Sequence, residues 1–304
     1  MTSPSPDLEK NDALCLIGLD IEGEWNVPLL GNAACLSGAS ISFAQSNQGS
    51  GERQPLIDAV LQGYNHVLAC ETTRDSTNIY DLPAPRGKTA VIVGNEERGI
   101  PRSVLKKADR IVQIPMKGKG MSSVNVAVAS ALTLYALTKD LARQKKPMSA
   151  LSGRNVDILV VAPEDPSELG SLIRSAWAFG WRRLFVSDKH QTWFTIDHQR
   201  ILAGRAAARR SKNPIVVLSS DKLNLYDYDA VVCSQSVRQG MPLSKLRLPS
   251  CRRLLVVYGE STEFRLSDHL TEKCYVDYVH SATKPVFRHE GSILLAMIAR
   301  MLKD

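Results

Sequence analysis

Short apolar runs alternate with segments of helical, amphipathic spacing along nearly the whole chain. The segment DILVVAPEDPSELGSLIRSAWAFGWRRLFVSD (157–188) predicts a strand, a loop, a helix and a second strand. The segment ALCLIGLDIEGEWNVPLLGNAACLSGASISFAQ (13–45) predicts the same order. Strands that alternate with helices form parallel sheets whose two faces are both covered. The pattern therefore predicts an α/β fold.

This order of elements occurs twice, on either side of a basic, turn-rich segment at residues 141–155. Each occurrence ends in a long apolar helix, which we expect at Val124–Leu141 and at about His289–Leu302. Four matched pairs support the correspondence: Gly38 with Gly180, Gly94 with Gly259, Cys70 with Cys233, and Pro83 with Pro249. We predict an internal duplication with two domains, at residues 11–143 and 155–304.

The two halves differ between their second and third expected strands. The second half contains HQRILAGRAAARR (198–210), which predicts a basic helix, whereas the first half contains QSNQGSGERQ (45–54), which predicts a loop. Charge follows the same division. Residues 1–150 hold 16 Lys and Arg against 15 Asp and Glu, and the remainder holds 22 against 16. A basic second half suits a polyanionic partner, although solubility alone would explain the charge equally well.

The remaining composition limits the classes of protein. No segment has the length and apolarity of a membrane span, and the N-terminal residues MTSPSPDLEKND lack an apolar signal region. The six cysteines show no paired CxxC spacing, which favours free thiols in a reducing compartment. We therefore expect a cytoplasmic protein. The six histidines are scattered, so we expect no metal site.

The strongest chemical signal lies in residues 91–140, where two expected strands open into glycine-containing loops. Strand Ala90–Val93 is followed by Gly94-Asn95-Glu96, and strand Arg110–Ile114 by PMKGKGMSSVN at the start of an apolar helix. Glycines at 94, 118 and 120 allow the main chain to approach a ligand closely. The two loops predict a ligand cradle built largely from backbone.

These two segments resemble the second and third signature motifs of the SpoU/TrmH-type RNA ribose 2'-O-methyltransferases of the SPOUT superfamily. The resemblance implies two tandem SPOUT domains with parallel sheets flanked by helices, and a deep trefoil knot in at least the first. It also implies S-adenosyl-L-methionine as cofactor and tRNA or rRNA as partner. Members of the family are typically dimers with the active site at the dimer interface.

The family's first motif, N-x-G-x-x-x-R, is divided between the halves. The segment PEDPSELGSLIRSAWAFG (163–180) has Arg174 at the position of the family's Arg, but Glu168 replaces the Asn. The first half has Asn26 at the Asn position and Asn32 at the Arg position. The second and third motifs are kept only in the first half. The resemblance thus implies an intramolecular pseudo-dimer, for which a monomer suffices, with one composite site.

The resemblance assigns the residues of that site. The catalytic set is Arg174, Asn125, Glu96 and Ser123. The cofactor-binding set is Cys70, Gly94, Asn95, Ile114, Met116, Ser123, Val124 and Asn125. The RNA-binding set is Arg98, Lys117, Lys119, Arg205, Arg209 and Arg210. Each of these has a plainer interpretation, such as helix capping for Ser123 and Asn125 or a solvated helix face for the 205–210 cluster.

Two other functions remain open from the sequence. A non-catalytic RNA-binding protein is favoured by Glu168, because a carboxylate beside Arg174 would repel an RNA phosphate. A methyltransferase acting on a base fits less well, because superfamily members that modify bases tend to carry different third motifs.

Overall fold

The computed structural model describes residues 13–46, 55–117, 123–144, 156–209, 212–234, 240–259, 270–280 and 283–302. The strands of the first half are β1 (Leu14–Leu19), β2 (Ser40–Ala44), β3 (His66–Cys70), β4 (Thr77–Asn78), β5 (Thr89–Val93) and β6 (Arg110–Gln113). The helices of this half are α1 (Asn26–Leu36), α2 (Ile57–Leu61), α3 (Arg102–Leu105) and α4 (Val126–Thr138). The six strands form a parallel sheet in the order β2-β1-β5-β3-β6-β4.

The second half repeats this arrangement with one additional strand. Its strands are β7 (Val156–Val161), β8 (Arg183–Ser187), β9 (Val216–Ser219), β10 (Ala230–Ser234), β11 (Met241–Pro242), β12 (Leu254–Gly259) and β13 (Leu270–Tyr275). Its helices are α5 (Pro166–Ala178), α6 (His198–Ala207) and α7 (Phe287–Met301). The order β9-β8-β7-β12-β10-β13-β11 matches the first sheet strand for strand, apart from edge strand β9. The expected α/β fold with two parallel sheets is confirmed.

The strands are buried on both faces, which explains their unbroken apolar runs. In β1, Leu14 and Leu16 pack into a core that includes residues of both halves, whereas Ile17 and Leu19 pack into a core of the first half alone. The shared core contains α1, α4, α5 and α7, and α4 packs against α7. The expectation that the last helix of each half lies between the domains is confirmed.

Two contacts across this boundary repeat each other. The backbone N–H of Lys117, after β6, donates to the carbonyl oxygen of Ala178 at the end of α5, at 2.8 Å. The N–H groups of Val279 and His280, after β13, donate to the carbonyl oxygen of Leu36 at the end of α1, at 3.0 and 3.1 Å. The loop after the last strand of each half, β6 or β13, therefore contacts the first helix of the other half.

One of the two matched glycine pairs shares a left-handed backbone, and the matched cysteine pair is wrong. Gly38 and Gly180 both have a positive φ, of 68° and 92°, directly after their helices. In the other glycine pair, only Gly259 has a positive φ, of 111°. In the sheets, Cys70 pairs with Val93, and Ser234 pairs with Tyr258. Val93 and Tyr258 each precede a matched glycine, so the equivalent of Cys70 is Ser234 rather than Cys233. Unequal loop lengths moved the sequence match by one residue, which in a strand exchanges the two faces.

Some expected boundaries also shift. Helix α4 begins at Val126 and ends at Thr138, instead of extending over Val124–Leu141. Asn125 has extended backbone, with φ −63° and ψ 145°, and caps the helix. The basic helix expected at 198–210 is present as α6, which like β9 has no counterpart among the described elements of the first half. The domain bounds and the trefoil knot stay predictions.

Candidate functional site

A cavity of about 590 Å³ lies at the carboxyl ends of β3, β5 and β6, the edge of a parallel α/β sheet where ligands commonly bind. Ten residues of the expected catalytic and cofactor-binding sets line it: Cys70, Gly94, Asn95, Glu96, Ile114, Met116, Ser123, Val124, Asn125 and Arg174. Nine of these belong to the first half. Arg174 comes from α5 of the second half. The structure therefore brings the expected residues together in one cavity.

The loop after β5 is held in shape by its own residues. Asn95 is 5% exposed, and its side chain donates to the carbonyl oxygen of Asp20 while accepting from the N–H groups of Glu97 and Arg98. A Cβ on Gly94 would lie 2.5 Å from the carbonyl carbon of Gly99, so only glycine permits this fold of the loop. Asn95 consequently shapes the cavity wall.

Glu71 is a wall residue that the motifs did not identify. Its carboxylate accepts a 2.9 Å hydrogen bond from the N–H of Ile100, which closes the loop against the end of β3. Both residues line the cavity. The signal that would have identified Glu71 was available, because it directly follows the carboxyl end of β3.

Glu96 lies at the centre of a polar network that joins both cavity loops to α1. Its carboxylate accepts from the side chain of Asn26 at 2.6 Å and from the N–H groups of Gly23 and Glu22 at 3.1 and 3.3 Å. Burial opposes the charged form, but these hydrogen bonds outweigh it, and the pKa of Glu96 lies below its usual value. Glu96 is therefore an anion that orders the loop.

Asn26 connects this network to Asn125 in the third motif. The side-chain N–H of Asn125 donates to the Asn26 side-chain oxygen at 3.2 Å, while the Asn125 oxygen accepts from the N–H of Ala127. Asn125 therefore caps α4 and is also tied, through Asn26, to Glu96. The helix-capping interpretation of Asn125 is correct, and it does not displace Asn125 from the cavity wall.

Arg174 lies on α5 of the second half, and its side chain contacts Ser123 and Val124 of the third motif. Its guanidinium donates to the carbonyl oxygens of Ser123 and Val124 at 3.1 and 3.0 Å, and to the Ser123 hydroxyl at 2.9 Å. Arg174 is 8% exposed, and no carboxylate among the described residues pairs with it. Burial, together with the charge of Arg209, lowers the pKa of Arg174 to about 9. The side chain is still a cation at neutral pH.

The equivalent site of the second half is built differently. Glu168, at the position of Asn26, accepts from the backbone N–H and the Nε of Arg288 at 2.9 and 2.6 Å. The carboxylate of Glu168, which was expected to repel an RNA phosphate beside Arg174, is paired with the guanidinium of Arg288. Tyr258, at the position of Val93, contacts Phe287 with the ring centroids 4.7 Å apart and the ring planes tilted by 43°. These bulkier residues line a cavity of about 310 Å³.

The expected RNA-binding residues divide into three groups. Arg98 and Arg209 line the main cavity, and Arg98 also pairs with Glu22 in a largely exposed contact. Lys117 lines a different cavity, and Arg205 lies exposed on α6. Lys119 and Arg210 lie outside the described residues.

Two of the expected cofactor contacts gain a physical description. Burial raises the pKa of Cys70 to about 11, with its Sγ 3.4 Å from the Thr133 hydroxyl, so Cys70 is a protonated thiol rather than a nucleophile. Ile114 is buried, and Met116 packs beside it against the shared core. The floor of the cavity is thus apolar and its rim is polar.

Comparison with known proteins agrees with these motifs. Residues 52–135 match the model of the SpoU rRNA Methylase family. An uncharacterized tRNA/rRNA methyltransferase of Archaeoglobus fulgidus is 44% identical over 73 residues, 24% of this chain and 31% of that protein. The tRNA (guanosine(18)-2'-O)-methyltransferase of Aquifex aeolicus is 30% identical over 95 residues, 31% of this chain and 43% of that protein. The resemblance to the SpoU/TrmH methyltransferases is confirmed.

The matches cover limited parts of the molecules. The chain spans less than half the length of these two curated relatives. A crystal structure of an A. aeolicus TrmH/SpoU tRNA modifying enzyme aligns with 46% of this chain and 83% of its own, at 18% identity and a TM-score of 0.36. In the described part of this chain, no helix combines the length and the apolar character needed to cross a membrane.

Proposed function

We propose that this chain is an S-adenosyl-L-methionine-dependent RNA methyltransferase that modifies a ribose 2'-hydroxyl of tRNA or rRNA. The single observation that carries the proposal is the position of Arg174, a cation from the second half that lies inside the first half's cavity with no carboxylate partner among the described residues. We further propose that the chain is an intramolecular pseudo-dimer with one composite site. The reciprocal contacts of Lys117 with Ala178 and of His280 with Leu36 support this arrangement.

The cavity fits the proposed cofactor. Its volume of about 590 Å³ lies within the usual range of small-molecule sites, and Gly94 gives it a wall of bare main chain. Ile114, Met116 and Val124 offer apolar contacts for an adenosine, and Gln113 and Glu71 offer polar ones. When bound, S-adenosyl-L-methionine supplies a methyl group on a positively charged sulfur. The relatives named as 2'-O-methyltransferases support this choice.

The residues of the chain would then hold the reacting ribose in place. Arg174 is suited to grip the phosphate beside the target ribose, because a guanidinium forms two parallel hydrogen bonds to phosphate oxygens. With a pKa of about 9, it keeps its proton at neutral pH, so it orients the substrate and stabilises charge rather than accepting the hydroxyl proton. Asn26, Glu96 and Asn125 keep the two loops in register. Positioning of this kind supplies a large part of the rate of such transfers.

Calorimetry with S-adenosyl-L-methionine and S-adenosylhomocysteine tests the cofactor and the number of sites. We expect one site per chain, which Gly94→Ala weakens at least tenfold, because its Cβ collides with the Gly99 main chain. Gly31→Ala is the matched control, since a Cβ there meets nothing within 4 Å. Two sites per chain would refute the composite arrangement. No binding would refute the methyltransferase.

Mapping of 2'-O-methylation in cellular RNA, with and without the gene, tests the substrate. We expect one or a few ribose positions to lose the methyl group. The alternative of a non-catalytic RNA-binding protein predicts no lost position. The pairing of Glu168 with Arg288 removes the observation that favoured this alternative.

A further inference from the structure

Arg209 is the second cation of the composite site, and it follows α6, which has no counterpart among the described elements of the first half. It follows α6 directly, with a left-handed backbone at φ 47°. Its guanidinium donates to the Ser123 hydroxyl at 3.3 Å, the same oxygen that Arg174 contacts at 2.9 Å. Two guanidinium groups therefore lie within about 6 Å of one another at the rim of the cavity.

Like charges at this distance repel, and the charge of Arg209 is one of the causes that lower the pKa of Arg174. Among the described residues, no carboxylate pairs with either guanidinium. Ser123 and Val124 offer only neutral oxygens. A phosphate placed between the two arginines would relieve this repulsion and accept from both. The arrangement is thus complementary to one anionic group.

The surface of α6 extends this cationic site away from the cavity. His198, Leu202 and Arg205 follow one another at spacings of four and three residues, which places them along one face of the helix, and Arg209 comes directly after the C-cap residue Ala208. All four are exposed, and Leu202 keeps 54% of its surface in contact with solvent. The first turn of α6 contains no acidic residue. We call these four residues the α6 stripe.

The opposite face of α6 is fixed to the second half. Gly204 packs against Pro166 and Trp193, and its carbonyl oxygen lies 2.3 Å from where a Cβ on Gly170 would be. Ala208 is fully buried. The α6 stripe is therefore held rigidly, with its Arg209 end at Ser123.

We propose that Arg174 and Arg209 clamp one backbone phosphate of the RNA, and that the neighbouring strand runs along the α6 stripe. This inference rests on the proposed function, because it assumes an RNA substrate. Since α6 and Arg209 belong to the second half and Arg209 contacts Ser123, the RNA approaches the composite site from the second-half side. The two halves then divide the work, with cofactor on one side and RNA on the other.

The test is the binding of a fluorescein-labelled 15-nucleotide single-stranded RNA, measured by anisotropy over a series of KCl concentrations. We expect Arg205→Gln/Arg209→Gln to weaken binding at least tenfold at 100 mM KCl. We also expect it to reduce the slope of log K against log[KCl] by about 1.4, since each lost contact to single-stranded RNA removes about 0.7. The matched control is Arg110→Gln/Arg252→Gln, which removes two exposed arginines at the amino ends of β6 and β12, the opposite edges of the sheets.

The outcomes separate the inference from the proposed function. If the stripe variant and the control bind RNA equally well, the α6 stripe is wrong while the proposed function stands. If the unmodified chain binds no RNA, the RNA substrate itself is wrong. Calorimetry with S-adenosyl-L-methionine accompanies each variant. A stripe variant that loses cofactor and RNA binding together would show a general structural defect and would overturn the clamp, which predicts unchanged cofactor affinity.

Discussion

The two halves of this molecule share one strand order but differ at equivalent positions near their binding edges. In the first half, Asn26 joins Glu96 to Asn125 and leaves an open cavity. In the second half, the equivalent Glu168 forms an ion pair with Arg288, and Tyr258 packs against Phe287 in a smaller cavity. Each arrangement is internally consistent, because a new charge at one position is matched by a new charge at its neighbour.

The arginine of the first motif is present in the second half, whereas the second and third motifs are present in the first. Arg174 reaches across to the open cavity, whereas Asn32, its equivalent, donates to the carbonyl oxygen of Lys284 beside the smaller one. An arginine is retained where the facing cavity is open, and it is replaced where that cavity is narrowed. Under the proposed duplication, a chain would need to keep each functional residue only once, provided that the retained residues face one another.

The largest effect is expected from Arg174→Ala. It removes the cation proposed to hold the RNA phosphate, and we expect methyl transfer to fall about 10²–10³-fold, as for loss of one preorganised donor. S-adenosyl-L-methionine affinity should change less than about threefold, because the cavity wall otherwise remains. Radiolabelled methyl transfer and calorimetry measure the two effects. Near-normal transfer would refute the composite site.

Two further variants sharpen this test. Arg182→Ala removes an exposed arginine before β8 and should leave transfer unchanged. The exchange Asn32→Arg/Arg174→Asn moves the arginine to the other side of the boundary, where it faces the narrowed cavity. We expect no recovery of transfer relative to Arg174→Ala. Recovery would mean that the second half also has a working cofactor site.

The second prediction concerns Glu168→Gln, which leaves Arg288 without a carboxylate partner. The two side chains are only 19% and 14% exposed, so we expect the free energy of unfolding to fall by about 2–3 kcal/mol in urea titrations. Cofactor affinity should not change. The control, Glu22→Gln, breaks the exposed pair with Arg98 and should cost less than about 1 kcal/mol. Equal costs for the two variants would contradict the structural role of Glu168.

The sequence predicted the fold and most of the cavity wall because those features depend on local patterns. Apolar runs identify buried strands, and Gly94-Asn95-Glu96 marks a loop that only a small set of backbone shapes can form. Pairings between distant segments were harder to predict. Arg288 lies 120 residues from Glu168, and the sequence around either residue does not predict their contact. The match of Cys70 with Cys233 failed for a related reason, since strand register depends on partners far along the chain.

The third prediction makes the first half resemble the second at one position. Asn26→Glu places a carboxylate against Glu96, where no described residue takes the part of Arg288. The repulsion and the lost hydrogen bonds should separate the two loops and weaken S-adenosyl-L-methionine binding about tenfold, which is about 1.4 kcal/mol. Calorimetry measures this loss. Asn32→Ala, on the same helix, should leave cofactor affinity unchanged, and an equal loss in that control would contradict the network.

The smallest effect at pH 8 is expected at His289, which lies three residues after the residue that caps α7, as Val128 does in α4. His289 is fully buried, and neither ring nitrogen has a partner in the described structure. Burial, together with the charge of Arg288, lowers the pKa of His289 to about 3. The His289 side chain therefore takes up a proton below about pH 6.5 in the unfolded chain, but only near pH 3 in the folded chain. Its contribution to the free energy of unfolding is complete above about pH 6.5 and is lost as the pH falls towards 3.

Replacing this imidazole by an apolar side chain should remove two costs: the burial of unpaired ring nitrogens and the loss of stability at low pH. We expect His289→Leu to raise the free energy of unfolding by about 1 kcal/mol at pH 8, because an unpaired buried polar group disappears. The gain should grow by about 2 kcal/mol at pH 5, since each pH unit below 6.5 costs the unmodified chain about 1.4 kcal/mol. The adjacent Glu290, whose pKa burial raises to about 7, titrates in both proteins and largely cancels in the difference.

Urea titrations at the two pH values measure this difference in the free energy of unfolding. The control, His190→Leu at an exposed site, should show no increase between pH 8 and pH 5. A gain independent of pH would mean that His289 has a proton partner, and that the second half uses this position for something other than packing.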